Sequence, residues 1–486
     1  MIVLEKTNMK IYLLAIITLF TVSCNQNDGL ENVGIELADA SYLEKNKAVD
    51  ENPFVDVASQ SNSTFSTDFQ GASYSDMRQY LKLGQEISPS LVQIEEYLNY
   101  FTYDYPEPDL NENVSLNSEL STCPWNAGHY LVRIGIKGKT ILPTEMKGSN
   151  YVFLVDVTKS MLAPERLSLI QNGLKLLVDN LNSSDNMAIV SYSNYTKLVM
   201  NATSCDKKQQ IKSFIDNLST GGTIIDQPSL SYSYGVAINN LITNGNNPVV
   251  LISDGDLNIH PSSTNELVKL IEAKKLAGAN LTVVGVGGTN PNIHLMEHIP
   301  NVGNGNYEYV DKVEQFLKVF VYEKAKFCTV ANNVHVNIIF NPKKVESYRL
   351  IGYENRDFKL ETTDGATVDA RVGSSQTITA VYELVMKNLT NDEHVGVVKL
   401  KYNKPNEIVG SELQHEVKMS PVLIENASEN MRFAASVTAF GLLMKQSKYK
   451  GTADKQMVLK LAENANTFDP NNYRKEFISL VNTWSK

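Results

Sequence analysis

Residues 151–160 read YVFLVDVTKS, an apolar run that ends in an aspartate and two hydroxyl side chains. A short, continuous apolar run is typical of a parallel strand that is covered on both faces. Similar runs occur at 187–192, 248–252 and 281–285, and stretches with apolar residues at helical spacing separate them. The pattern predicts an α/β unit over residues 148–327 with a doubly wound, mostly parallel, Rossmann-like sheet.

Strand-like alternation of apolar and polar residues lies on both sides of this unit. It occurs at 334–340, 378–386 and 398–402, and residues 130–136 have the same character. We therefore predict that the α/β unit is inserted in, or flanked by, an antiparallel β-rich domain. Our hypothesis is one β-sandwich with strands from both sides. The apolar run at 433–444 predicts a helical carboxyl-terminal segment.

Three loops at the carboxyl edge of the predicted sheet carry oxygen ligands. Asp156, Thr158 and Ser160 leave the first strand, Asp254 follows the third strand, and Thr223 follows two glycines before a predicted helix. Ligands usually bind α/β sheets at this edge. Hard oxygen donors without His or Cys favour Mg²⁺, with Ca²⁺ or Mn²⁺ as alternatives. Two carboxylates and three neutral hydroxyls would let the ion accept an Asp or Glu carboxylate from a protein partner.

The D-x-T-x-S run, the glycine-flanked threonine and the later Asp-Gly pair resemble the metal-ion-dependent adhesion site of von Willebrand factor type A (VWA) domains and integrin inserted domains. Beyond this site, the chain resembles a bacterial family of VWA lipoproteins over nearly all its length after residue 50. The stretches that carry this resemblance are ENPF (51–54), FS (65–66), ASY (72–74), YFTYDYP (100–106), CPWN (123–126), DGDLN (254–258), GNGNY (303–307), YRLIGYENR (348–356), FAAS (433–436) and YRKEF (473–477).

The resemblance implies a domain order and a site, and the chain departs from the family's site in two places. The resemblance implies a von Willebrand-associated α+β region at 51–147, a VWA domain at 148–327, a β-rich domain at 328–425 and a helical region at 426–486. Thr158 and Lys159 stand where the family has Ser and Gly, and the family's G-G-S-T pattern becomes residues 221–224, GGTI. Asp226 could therefore replace Thr223 as a ligand. A VWA-like fold that has lost its metal site is the alternative.

The amino-terminal residues predict export. Lys10 precedes an apolar run at 11–20, which has the length of a signal-peptide core and is short for a membrane span. Residues 21–24, TVSC, resemble a lipobox, so we expect a signal peptide at 1–24, lipidation at Cys24 and a polar tether at 25–50. A plain secretory signal is the alternative. Asn25 is compatible with delivery to the outer membrane, facing either the periplasm or the exterior.

Charge and residue types restrict the function. A formal net charge of -10 without a cluster of Lys and Arg argues against a nucleic-acid partner. No catalytic base or nucleophile motif is evident, so we predict a binding protein and no enzyme. A metal-independent scaffold of an envelope complex, or a metal-assisted hydrolase, are the alternatives. Cys123, Cys205 and Cys328 are too widely spaced to predict a disulfide scaffold or a zinc site, and the aromatic cluster at 97–105 is expected in a core.

Overall fold

The computed structural model describes residues 50–67, 71–142, 144–163, 166–219, 221–255, 264–287, 293–303, 305–354, 370–387, 389–390, 393–405, 407 and 409–485. The predicted signal peptide with Cys24 lies outside these residues. In the part of the chain that is described, no helix is both long and apolar enough to cross a membrane.

The elements are numbered in chain order. The strands are β1 (Val55–Asp56), β2 (Asn62–Phe65), β3 (Val114–Thr122), β4 (His129–Gly138), β5 (Asn150–Asp156), β6 (Asn186–Tyr192), β7 (Thr196–Ser204), β8 (Thr223–Ile225), β9 (Pro248–Ser253), β10 (Asn280–Val286), β11 (Tyr307–Val310), β12 (Thr329–Phe340), β13 (Val345–Ile351), β14 (Val372–Gly373), β15 (Thr377–Met386), β16 (Gly396–Asn403) and β17 (Gly410–Val417). The helices are α1 (Ala72–Lys82), α2 (Ile94–Asn99), α3 (Leu167–Asn180), α4 (Lys208–Asp216), α5 (Ser229–Asn239), α6 (Thr264–Leu276), α7 (Ile293–Val302), α8 (Val313–Leu317), α9 (Glu429–Met444), α10 (Lys455–Glu463) and α11 (Tyr473–Thr483).

The α/β unit contains a seven-stranded sheet in the order β11-β10-β9-β5-β6-β7-β8. β5 is central, parallel to both β6 and β9, and buried at every position. β7 runs antiparallel to β6, since a short turn joins the two strands, and β8 at the edge of the sheet runs antiparallel to β7. Leu174 of α3 and Phe316 of α8 cover one face, while Leu230 of α5 and Ile299 of α7 cover the other. The predicted doubly wound, mostly parallel sheet is confirmed.

Two antiparallel sheets pack around a second core. One has the order β1-β13-β15-β4-β3, and the other has the order β14-β12-β16-β17 with β2 paired to β12. β4 precedes the α/β unit and β15 follows it, yet the two pair from Val385↔His129 to Thr377↔Lys137. Ile134 and Ile338, one from each sheet, share the core between them. The hypothesis of one sandwich interrupted by the α/β unit is confirmed.

A helical layer completes the fold. α9 is apolar around most of its circumference and is buried accordingly, against α2, α10 and α11. The Ser428 side chain caps it by accepting from the Met431 N–H at 3.1 Å. Phe101 packs edge to face against Phe433 and Phe477. The helical carboxyl-terminal segment and the core position of the aromatic cluster at 97–105 are both confirmed.

A buried ion-pair network joins the helical layer to the α/β unit. Arg78 of α1 donates from Nη2 to Asp311 Oδ1 at 2.5 Å and from Nη1 to Tyr100 OH at 2.7 Å. Tyr100 OH donates to Gln315 Oε1 at 2.8 Å, and Glu476 of α11 lies 3.5 Å from Arg78 Nη1. A buried charge is costly without its partner. The network therefore fixes the α/β unit against the other parts of the chain.

Candidate functional site

Asp156 is the last residue of the central strand, and its side chain is fully buried at the carboxyl edge of the sheet. Its Oδ1 accepts from the Thr158 backbone N–H at 2.8 Å and from the Thr158 hydroxyl at 2.6 Å. Its Oδ2 accepts from the Ser253 hydroxyl at 2.9 Å and from the Tyr192 hydroxyl at 3.4 Å. Donors from three neighbouring strand ends thus hold one carboxylate in place.

The loop after Asp156 presents two hydroxyls beside each other. The bond from the Thr158 N–H to Asp156 Oδ1 forms a local turn of the Asx type, which ends the strand. A 3₁₀ helix, Lys159–Leu162, follows and brings Ser160 Oγ within 3.0 Å of Thr158 Oγ1. Ser160 and Lys159 are both exposed. Hydroxyl oxygens keep lone pairs for a cation while they donate a hydrogen bond.

Asp254 lies on the next strand end, and a cation already contacts it. The Arg166 guanidinium pairs with Asp254 Oδ2 through Nη1, and the same nitrogen donates to the Ser160 carbonyl at 3.1 Å. Arg166 Nη2 donates to the Gly287 carbonyl at 2.9 Å. Gly287 has a φ of +83°, and a Cβ there would collide with the Arg166 side chain. Arg166 therefore ties together the loops that follow β5, β9 and β10.

Thr223 lies farther along the sheet edge. The sequence predicted a loop here, whereas the structure places Thr223 at the start of β8, an exposed edge strand paired with Leu198 of β7. Among the described residues, no hydrogen bond links Thr223 to Asp156, Thr158, Ser160 or Asp254. Asp226, the alternative ligand, is exposed in the turn after β8. The first four predicted residues are thus brought into one connected cluster, and Thr223 stands apart from it.

Burial changes the protonation of the central carboxylate. Removal from water raises the pKa of Asp156 to about 6, and the neighbouring Asp254 charge also raises it. The hydrogen bonds from Thr158 and Ser253 oppose this shift. Because the charged form of the buried Asp156 carboxylate lacks solvation by water, a cation placed beside it would stabilise that charged form. The carboxylate is therefore an electrostatic site for a positive ligand.

The residues present fit a divalent ion of the Mg²⁺ type. Asp156, Thr158 and Ser160 supply hard oxygen atoms from one loop, and Asp254 adds a second carboxylate from the next strand end. Within the described residues, no group of three or more His, Cys, Asp and Glu side chains is placed to hold a metal. Such an ion would depend on the hydroxyl oxygens as well as on the two carboxylates.

Sequence reasoning missed Arg166, Ser253 and Tyr192. Ser253 directly precedes Asp254, so its position at a strand end was a usable signal. Tyr192 lies opposite Asp156 in the parallel register of β5 and β6. Alignment of these two strands would therefore have identified it. Arg166 offered no local signal because its acceptors come from three separate loops.

Comparison with known proteins supports the division of the chain seen in the fold. The model of the von Willebrand factor type A domain matches residues 150–321, and a von Willebrand factor model matches residues 40–133. The model described as "Uncharacterized protein YfbK, C-terminal" matches residues 325–486. The protein YfbK of Escherichia coli (strain K12) is 34% identical over 460 residues, which cover 89% of this chain and 79% of YfbK. The chain belongs to the YfbK-like family of VWA-domain proteins.

Two solved structures are similar to this YfbK-like protein. A von Willebrand factor type A protein from Catenulispora acidiphila is 12% identical with a TM-score of 0.40, covering 78% of this chain and 91% of that one. The ArnB paralog VWA2 from Sulfolobus acidocaldarius is 13% identical with a TM-score of 0.35, covering 76% and 97%. The family models and the YfbK relative confirm the predicted family as one of VWA-domain proteins, and the sheet order confirms the predicted fold class.

The VWA domain gives the YfbK-like chain a protein-interaction module.

The three cysteines that follow Cys24 in the chain do not alter this assignment. Cys123, Cys205 and Cys328 are all free thiols, and the first two are buried. Burial raises the pKa of the Cys123 thiol, which disfavours the reactive thiolate. Cys123 is therefore a packing residue.

Proposed function

We propose that this YfbK-like protein is a cell-envelope lipoprotein whose VWA domain binds a protein partner through a divalent metal ion. Asp156, Thr158 and Ser160 would hold the ion, with Mg²⁺ as first choice and Ca²⁺ or Mn²⁺ as alternatives. Asp254, and either Thr223 or Asp226, would contribute directly or through water. A partner's Asp or Glu carboxylate would complete the coordination. When bound, the ion supplies the positive charge that attracts this carboxylate.

The observation that carries the proposal is the buried Asp156 carboxylate beside the paired Thr158 and Ser160 hydroxyls. Asp156 is inaccessible to a partner, while Ser160 is exposed. An ion held between them would therefore have protein oxygens on its inner side and the solvent edge on its outer side. This geometry favours recognition of an outside ligand over a purely structural ion.

Apolar residues on the same edge favour a protein partner. Leu162, Tyr195 and Ile224 are 62%, 61% and 60% exposed. Leu162 ends the 3₁₀ helix after Asp156, and Tyr195 lies in the turn between β6 and β7. Ile224 lies on β8, two strands beyond β6. Exposed apolar side chains near a charged centre are a common composition of protein-binding surfaces.

The lipid anchor rests on residues 1–24 of the sequence, with Cys24 as the modified residue. Labelling of cells with an alkyne fatty acid tests it. The wild-type chain should incorporate the label and fractionate with the outer membrane, whereas Cys24→Ser should remain unlabelled. Equal labelling of both chains would contradict lipidation at Cys24.

Partner binding is tested by capture from envelope extract with the wild-type chain, in Mg²⁺ and in EDTA. We expect specific partners to be captured in Mg²⁺ only, and to be lost with Asp156→Ala even in Mg²⁺. Asp216→Ala is the matched control because Asp216 is an exposed carboxylate of the same unit that pairs with Lys175. Capture that persists in EDTA and in Asp156→Ala would contradict the proposal.

A metal-independent scaffold is the second candidate, and Arg166 is the observation that favours it. Its guanidinium neutralises Asp254 and bonds two loop carbonyls, so it can close this edge without an ion. This function predicts that an Asp156→Ala/Asp254→Ala double variant captures the same partners as the wild-type chain. Loss of those partners with the double variant would exclude it.

A further inference from the structure

A polar cavity lies at the opposite, amino edge of the α/β sheet. Its volume is about 130 Å³, which is room for several water molecules or a small polyatomic ion. The connection that enters the α/β unit contributes Lys147 and Ser149, and the connection that leaves it contributes Lys324 and Cys328. Asn182 and Asn246, at loops of the unit itself, complete the polar lining. The cavity is thus formed where the chain crosses between the sandwich and the α/β unit.

Two lysines bring positive charge to this cavity. In the part of the chain that the structure describes, no carboxylate forms an ion pair with either Lys147 or Lys324. Glu323, the neighbour of Lys324, is occupied by Lys318 and Lys326. An ammonium group that faces a cavity without a carboxylate partner attracts an anion.

The one carboxylate in the lining is already satisfied by the backbone. Asp185 Oδ1 accepts from the Ser149 N–H at 2.8 Å, and its Oδ2 accepts from the Asn182 N–H at 3.1 Å. These bonds hold the two wall segments together. With two lysines and one hydrogen-bonded aspartate, the cavity keeps a net charge of about +1, counting side chains at neutral pH.

The wall is also held in a fixed shape. The Asn150 N–H donates to the Asn246 carbonyl at 2.7 Å, and the Asn186 N–H donates to the Ser149 carbonyl at 2.8 Å. The Cys328 carbonyl accepts from the Ser374 N–H at 2.8 Å, which links this side to the sandwich. A cavity whose walls are preorganised binds a ligand without a large ordering cost.

We propose that this cavity binds a small oxyanion, of the phosphate, sulfate or carboxylate class, between Lys147 and Lys324. The side-chain amide groups of Asn182 and Asn246 would donate to its oxygen atoms. Because the two lysines belong to the entering and leaving connections, the bound ion ties these connections together. This site is independent of the metal site at the carboxyl edge.

The experiment uses Cys328 as a reporter of occupancy, with inorganic phosphate as the probe. The full chain is alkylated with iodoacetamide in phosphate or in chloride at equal ionic strength, and peptide mass spectrometry follows Cys328 separately from the other cysteines. We expect millimolar phosphate to slow alkylation of Cys328 about fivefold relative to chloride. The Lys147→Ala/Lys324→Ala double variant should lose this protection. Lys139→Ala, an exposed lysine elsewhere, should retain it.

Each variant is compared with itself in chloride, because Lys324 influences the Cys328 thiol directly. Circular dichroism melting shows whether the double variant is folded, and sulfate and acetate arms show which oxyanion is preferred. Phosphate protection in the double variant equal to that in the wild-type chain would overturn the proposal. Absence of protection in the wild-type chain by all three oxyanions would overturn it as well.

Discussion

The two edges of the α/β sheet differ in the charge that they present. At the carboxyl edge, the buried Asp156 and the nearly buried Asp254 end neighbouring strands. At the amino edge, Lys147 is exposed and Lys324 is partly exposed, and both lie on connections to the sandwich. The carboxyl edge therefore favours a small cation, and the amino edge favours an anion.

The carboxyl edge also contains its own cation. Arg166 pairs with Asp254, whereas within the described ranges Asp156 accepts from hydroxyl and N–H donors and pairs with no Lys or Arg. The two carboxylates of this edge are thus unequal, since one is neutralised by the chain and the other is not. Variants at Asp156, Arg166 and Lys159 test that difference.

The unneutralised Asp156 makes the metal-free protein sensitive to pH. Because its pKa is raised to about 6 in the folded chain from 3.8, the contribution to stability is fully present below about pH 4 and is lost as the pH rises through 6. We expect the free energy of unfolding in EDTA to fall by about 3 kcal/mol through this group. Urea denaturation from pH 4 to 7 measures it.

Asp156→Asn is the control for this pH effect, since it keeps the shape of the side chain and removes its titration. Its unfolding free energy should lack the loss seen in the wild-type chain between pH 4 and 7. Addition of Mg²⁺ should restore stability at pH 7 in the wild-type chain only. Parallel pH profiles for the two chains would contradict the assigned role of Asp156.

Arg166 should compete with the metal for Asp254. We expect Arg166→Gln to bind Mg²⁺ about tenfold more tightly, which corresponds to about 1.4 kcal/mol, because the internal cation is removed. The same variant should melt at a lower temperature in EDTA. Isothermal titration calorimetry and thermal melting measure the two effects. Lys175→Gln, which breaks an ion pair between α3 and α4, should change neither the affinity nor its pH dependence; unchanged Mg²⁺ affinity in Arg166→Gln would count against competition.

Lys159 should have the smallest effect. It follows Thr158 directly but is exposed, so its charge is screened by solvent. We expect Lys159→Gly to tighten Mg²⁺ binding about threefold at low salt, and the difference should vanish at about 1 M salt. Lys159→Gln separates the charge from the added backbone freedom of glycine. A tenfold or larger gain that persists at high salt would show a direct contact of Lys159 with the ion.

The parts of the fold that depend on local sequence patterns could be predicted. β5 and the D-x-T-x-S loop after it were predictable because the continuous apolar run and the loop side chains are adjacent in the sequence. β7 and β8 were missed, since outer strands such as Thr196–Ser204 lack the continuous apolar run of a central strand. Thr223 was consequently assigned to a loop.

The contacts of Arg166 could not be read from the sequence for a different reason. They depend on where the loops after β5, β9 and β10 end in space, which only the sheet order determines. The pairing of β4 with β15 was predictable only as a hypothesis, since the two strands are separated by the whole α/β unit. Local chemistry was thus predictable, and long-range partners were not.

Anomalous diffraction from crystals grown with Mn²⁺ shows whether the carboxyl edge of the sheet holds a metal ion. Mn²⁺ prefers the same oxygen ligands as Mg²⁺ and can be located by its anomalous signal. We predict a peak about 2.2 Å from oxygen atoms of Asp156, Thr158 or Ser160, with the Arg166 side chain moved away from Asp254. A map without a peak at this edge, with Arg166 still paired to Asp254, would contradict the account.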